Sequence, residues 1–184
     1  MGRGSSGARQ SNVFGKKGRP RTMEQALGSV NPNFAQGIEW QTNCQRCVYT
    51  YEMQRRGYNV EALPRILNGK DEAAEKWAEA FSGQTWDKMP SRNTINSMLS
   101  KMTEYGEGAR AVVYVKWRGK NSAHVFIAEQ EGKGTVFLDP QTGKYVNIRH
   151  YMDYAVKGKT MLSRVDNLSP KEEVVKDYMR KRAK

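Results

Sequence analysis

The chain has 184 residues, enough for one domain with a real core. Only 38% of them are hydrophobic, so part of the chain is expected outside that core, and two cysteines exclude a disulfide scaffold. Thirty-one Lys and Arg against 19 Asp and Glu leave a formal charge of +12, which favours polyanions or acidic protein surfaces and says nothing about fold.

Residues 1–33 carry six basic residues (Arg3, Arg9, Lys16, Lys17, Arg19, Arg21) and one acid, Glu24. Large apolar residues are few there, and Gly, Ser and Asn are many. This composition predicts a flexible basic tail whose KKGRPR stretch would touch an acidic partner or nucleic-acid phosphates. The start holds no apolar h-region, and no run reaches the roughly 18 apolar residues of a membrane span. A cytoplasmic, reducing setting is the expectation.

From residue 43 the character changes. NCQRCVYTYEMQRRG, residues 43–57, predicts a helix with Asn43 as N-cap and Gly57 as its stop. Cys44, Cys47, Val48 and Tyr51 then share one face. Residues 58–67 read as an extended link. Residues 71–81 read as a helix, and so do residues 93–105, capped by Ser91. The period then switches to two, predicting strands over 110–117, 123–129, 135–139 and 158–166. Residues 169–184 read as a charged terminal helix or frayed end. Helices first and strands second predict an α+β domain over residues 34–168.

Cys44 falls at the start of its helix, where unsatisfied N–H groups and the dipole favour a thiolate; Cys47, one turn in, faces the core. A thiolate nucleophile needs a base, and the base needs an orienting group. Of the two histidines, His124 lies in a strand and points with Phe126 to one side, while His150 lies in the polar stretch NIRHYMDY. The next strand returns after EQEGKG. A Glu131-Gly132 turn sets His124 opposite Asp139, and a Gly132-Lys133 turn sets it opposite Gln141. Glycine at the first loop position favours the second. Either residue is then within reach of the imidazole. Two other readings of the cysteines are weaker. A redox Cys-x-x-Cys usually opens a helix after a strand, and zinc held by Cys44, Cys47, His124 and His150 fits no compact finger spacing.

Four blocks in order, NCQRCVYTYEMQRRGYNVEALP, GARAVVYVKW, SAHVFIAEQ and FLDPQTG, resemble the papain-fold toxin glutamine deamidase domain of bacterial polymorphic toxins and phage or mobile-element proteins. The resemblance runs from about residue 31 to about residue 168. It implies a papain-like cysteine protease fold, with a helix-borne nucleophile packed on an antiparallel sheet. It also implies a Cys–His–Asp triad of Cys44, His124 and Asp139. An oxyanion-holding amide is implied ahead of the nucleophile. Gln41 and Asn43 are both available, with Gln41 preferred because Asn43 serves as cap. Gln141 would line the cleft. The implied activity converts a protein glutamine to glutamate, with no metal or organic cofactor, in a toxin or effector that is phage-associated or delivered into a target cell. Proteolysis at the same site is the alternative, and a non-enzymatic basic phage structural or nucleic-acid-binding protein is the rival from another class.

Overall fold

The computed structural model describes residues 14–183. Its first element, α1 (Met23–Leu27), is short but well closed. Thr22 and Gln25 form a reciprocal capping box, each side chain satisfying the other's backbone N–H. Phe14, Ala26, Leu27 and Val30 are buried in the same cluster as the central helix. Residues 14–33 are therefore packed against the domain, which corrects the tail expected to reach residue 33. Low hydrophobic content hid four well-placed anchors. The KKGRPR stretch is held along the end of that helix, through Gly18 N to Gly57 O at 2.8 Å and Arg21 N to Gln54 O at 3.2 Å. Residues 1–13 lie outside the described residues.

A short helix, α2 (Ile38–Gln41), leads into α3 (Cys44–Arg55). Helix α3 is not one-faced as its sequence suggests, because every residue from Arg46 to Gln54 is buried. Its buried polar side chains each find partners, as burial demands. Arg46 pairs with Asp71, Glu52 with Arg110 and Arg56, and Gln54 with Ser29 and Val60 O. The helix ends at Gly57, whose φ of +108° suits glycine alone. A Cβ there would also meet Gly18 O at 2.3 Å.

Strand β1 (Val60–Ala62) follows, then α4 (Glu72–Glu75) and a 3₁₀ turn over Trp77–Glu79. The helix expected over 71–81 is interrupted at Lys76, and Tyr178 Oη donates to Ala73 O, the carbonyl a continuous helix would offer to Trp77 N. Tyr49 donates to Trp77 O, and Trp86 Nε1 donates to Ala78 O at 2.9 Å. Strand β2 (Asp87–Lys88) precedes α5 (Thr94–Tyr105). Asn93, not Ser91, sits at the N-cap of α5, in a left-handed conformation and without a side-chain cap.

The rest is mostly sheet: β3 (Arg110–Lys116), β4 (Ala123–Glu131), β5 (Gly134–Asp139) and β6 (Lys144–Tyr145). Helix α6 (Ile148–Asp153) and β7 (Met161–Arg164) come next. One antiparallel sheet runs in the order β2-β7-β3-β4-β5-β6. It is covered on both faces. Val112, Val125, Ile127 and Leu138 pack with α3, while Val113, Val115, Phe126 and Phe137 pack with Met98 and Met102 of α5. Double coverage explains why Val125 to Gln130 is buried without a break.

The terminal stretch is part of this body. Helix α7 (Glu172–Val175) leads to β8 (Met179–Lys181), which pairs antiparallel with β1. Tyr178 is buried and stacks on Tyr49 at 5.7 Å. The boundary expected at residue 168 therefore divides one shared core. No helix among the described residues is long and apolar enough to cross a membrane.

Candidate active site

Cys44 is the first residue of α3. The carbonyl of Asn43 accepts from Arg46 N and Cys47 N, closing the first turn. Among the described residues nothing accepts from the N–H groups of Cys44 or Gln45. Two free donors thus stand beside the thiol, at the positive end of a twelve-residue helix.

Asn43 does not cap with its side chain, contrary to expectation. Its amide donates to Asn31 Oδ1 at 3.1 Å and to Leu63 O at 3.0 Å, so both hydrogens are taken. Gln41 is exposed and uses one N–H on Phe34 O at 3.1 Å, and the other has no acceptor among the described residues. The preference for Gln41 thus rests on spent donors rather than on capping.

Cys47 is fully buried and its thiol sits 3.3 Å from Asn43 Oδ1, as donor. Burial, then the nearby charges of Cys44 and Asp139, push this thiol well above its ordinary range, against a smaller opposing effect of Arg46. It stays a neutral core residue. Both cysteines are free.

His124 lies near the start of β4, opposite Val115 of β3. Its ring stacks on Phe126 at 6.1 Å, on the face of the sheet that packs with α5. The β4–β5 hairpin turns through Gly132-Lys133, pairing Glu131 with Gly134. Gly132 has φ of +59°, and Asn93 alone among the described non-glycine residues has a positive φ, which gives the type II′ turn. That register sets position 124 against 141. The β4–β5 ladder, however, ends at Ile127–Leu138, and Asp139 pairs onward with Lys144 of β6. The diagonal neighbour therefore reaches the ring: His124 Nε2 lies 2.6 Å from Asp139 Oδ2.

A carboxylate only accepts, so Nε2 carries the proton in this bond, and Nδ1 is left uncommitted on a ring that the neighbouring Cys44 side chain influences. Burial works against the imidazolium. The Asp139 bond, then the neighbouring Cys44 and the charges of both, outweigh it and raise the pKa from 6.5 to about 10.

Asp139 is 1% exposed, and each of its oxygens is engaged. Oδ2 also accepts from Tyr151 Oη at 2.9 Å, and Oδ1 accepts from Gln141 N at 3.0 Å. The sequence reading missed Tyr151. Its signal was present, since Ile148, Tyr151 and Met152 have helical spacing and pack on the core from α6. Trp117, also missed, lies nearly parallel to His124 at 5.9 Å and shields the ring. His150 lines the same cleft as His124, but its ring packs on Tyr154 and its backbone N–H is capped by Asn147. Gln141 is 8% exposed, and its Oε1 has no partner among the described residues. A cleft of about 460 Å³ opens beside His124, Asp139 and Gln141, walled by Trp117, Tyr151 and Tyr154.

A family model described as papain fold toxin 1, glutamine deamidase, matches residues 42–144. With helices packed on an antiparallel sheet, the fold is papain-like α+β. No curated protein and no solved structure matches the chain.

Proposed function

Because the chain belongs to the papain-fold toxin glutamine deamidase family, we propose that it deamidates a glutamine side chain of a target protein through Cys44, His124 and Asp139. The Cys44–His124 pair reacts with its shared proton on the imidazole, and the thiolate attacks the carboxamide carbon. The N–H groups of Cys44 and Gln45, with the second amide hydrogen of Gln41, stabilise the oxyanion. His124 then protonates the departing ammonia, leaving a thioester on Cys44. Water, deprotonated by His124, hydrolyses the thioester and releases glutamate. Asp139 holds the ring and balances its positive charge throughout. Gln141 lines the cleft and offers Oε1 to a substrate N–H. Such a protein would act as a toxin or effector inside the cell holding its target.

The observation that carries this reading is an imidazole bound to a buried carboxylate at 2.6 Å, with its charge supported by a cysteine at a helix N-terminus. Incubation with a glutamine-bearing target should release ammonia and raise the target's mass by about one dalton, as NH₂ becomes OH. Cys44→Ser should do neither. Backbone cleavage in place of the mass shift would mean a cysteine protease with the same three residues. The absence of both would favour a non-enzymatic basic module.

A further inference from the structure

The charge of +12 is not spread evenly over the molecule. One cleft, beside α1, collects Glu24, Glu107, Glu129 and Glu131 around a single cation, Arg55. The cleft at His124 is the opposite. Arg118 and Lys120 line it, both exposed, and neither enters an ion pair among the described residues. Its only carboxylate, Asp139, is committed to His124, Tyr151 and the backbone of Gln141. On the other flank of α6 a second cleft of about 750 Å³ carries Arg92, Arg149 and Lys157, also exposed and outside any ion pair among the described residues, against one acid, Asp153. Five cations outside any ion pair among the described residues thus line the two clefts that flank α6.

Arg118 is also positioned rather than loose, since its guanidinium donates to Asp153 O. Between the cations stand the aromatic walls of Trp117 and Tyr154 and the unpartnered buried Oε1 of Gln141. A surface with one buried acceptor, flat apolar walls and a one-signed rim fits an extended peptide with carboxylate side chains.

We propose that the target glutamine lies in an acidic segment, whose carboxylates flank the reacting side chain and are held by Arg118 and Lys120, with Arg149 and Lys157 extending the track. This rests on the deamidase reading for the reaction alone; the binding preference stands without it. The carboxamide reaches past His124 to Cys44, while the flanking chain lies in the cleft.

Three fluorescein-labelled peptides test it: Gly-Glu-Glu-Gln-Glu-Glu-Gly, and the same with Ser or Lys in place of Glu. Their binding to the full-length Cys44→Ala protein is read by anisotropy. The Glu peptide should bind about 2- to 30-fold tighter than the Ser peptide, the range two exposed charge pairs supply, and should weaken with salt. Arg118→Glu with Lys120→Glu should reverse the order toward the Lys peptide. Lys76→Glu with Lys176→Glu, an equal charge change at exposed sites elsewhere, should preserve it. Equal affinities, an equal effect of the remote pair, or no binding up to about 1 mM, the upper end of ordinary Michaelis constants, overturns the proposal. Ammonia release by the unmodified protein separates the two claims. Ordered binding without ammonia removes the deamidase reading and keeps the track. Ammonia from all three peptides at one rate removes the track and keeps the deamidase.

Discussion

The side-chain amide of Asn31 donates to the backbone carbonyl of Gln141 at 2.8 Å, across 110 positions of chain. The same nitrogen donates to Trp40 O at 2.8 Å, and Asn31 Oδ1 receives the amide of Asn43. One buried residue therefore ties the approach to the Cys44 helix to the loop that follows Asp139. The distance from thiol to acid is set in part by this bridge.

Asn31→Ala should leave two buried carbonyls and one amide without a partner. Each such loss costs about 1–3 kcal/mol, so a clear fall in thermal midpoint is expected, with turnover falling further than stability explains. Deleting residues 1–33 removes Asn31 together with Phe14, Leu27 and Val30 and should abolish cooperative unfolding by circular dichroism. A deletion protein that melts like the intact chain would show the segment to be dispensable.

Cys44→Ser should abolish ammonia release, while Cys47→Ser should keep most of it. Cys47 sits buried with its thiol held neutral, one turn from the free N–H groups. Equal loss in both, with both proteins folded, would point to a cysteine pair acting together. Likewise His124→Ala should be inactive and His150→Ala near normal, because His150 packs on Tyr154 at 5.3 Å.

Gln141→Ala should raise KM more than it lowers kcat. Its Oε1 is the buried atom in the cleft left without a partner among the described residues, and a substrate N–H would satisfy it. The Asp139 contact comes from the backbone N–H of Gln141, which alanine keeps. A change confined to kcat would instead place the side chain in the chemistry.

Periodicity made much of this legible. Two-residue alternation put His124 and Asp139 on one face, and the helix start separated Cys44 from Cys47. Strand arithmetic also contained the right turn, but it assumed a straight ladder. β5 leaves β4 after Leu138, so the ring meets position 139 rather than 141. What the sequence hid was held by contacts distant in the chain. Asn31 looks like a tail residue until Gln141 is beside it, and Gly57 looks like an ordinary helix stop until Gly18 is against it. Helix α3 carries Arg46, Glu52 and Gln54 inside the core because each has a partner elsewhere in the chain, which no local window shows.

Tyr151→Phe removes one of two donors to Asp139 Oδ2 and leaves the His124 bond. A hydrogen bond to a charged group is worth about 1.5–3 kcal/mol, so a fall in kcat of roughly tenfold or more is expected with KM little changed. Burial, then the charge and hydrogen bond of Asp139, raise the Tyr151 hydroxyl above its ordinary range, so it is a donor throughout the working pH. If Tyr151 served only to pack α6, Phe would fill its place and kcat would stay at the parent value.

The imidazolium of His124 gives the last prediction. Its folded pKa is raised to about 10 from 6.5, so the folded state binds this proton more tightly than the unfolded chain does. The stability it supplies is fully present below pH 6.5 and is lost as pH rises through about 10. Asp139→Asn removes the carboxylate, which supports the charged form through both its hydrogen bond and its charge. The gap in thermal midpoint between parent and Asp139→Asn should therefore be widest near pH 6 and narrow steadily toward pH 10. Activity should follow the same proton. The parent should hold its kcat into the alkaline range and decline as His124 deprotonates, and Asp139→Asn should move that decline toward neutral. A decline at one pH in both proteins would mean that a group other than His124 controls it.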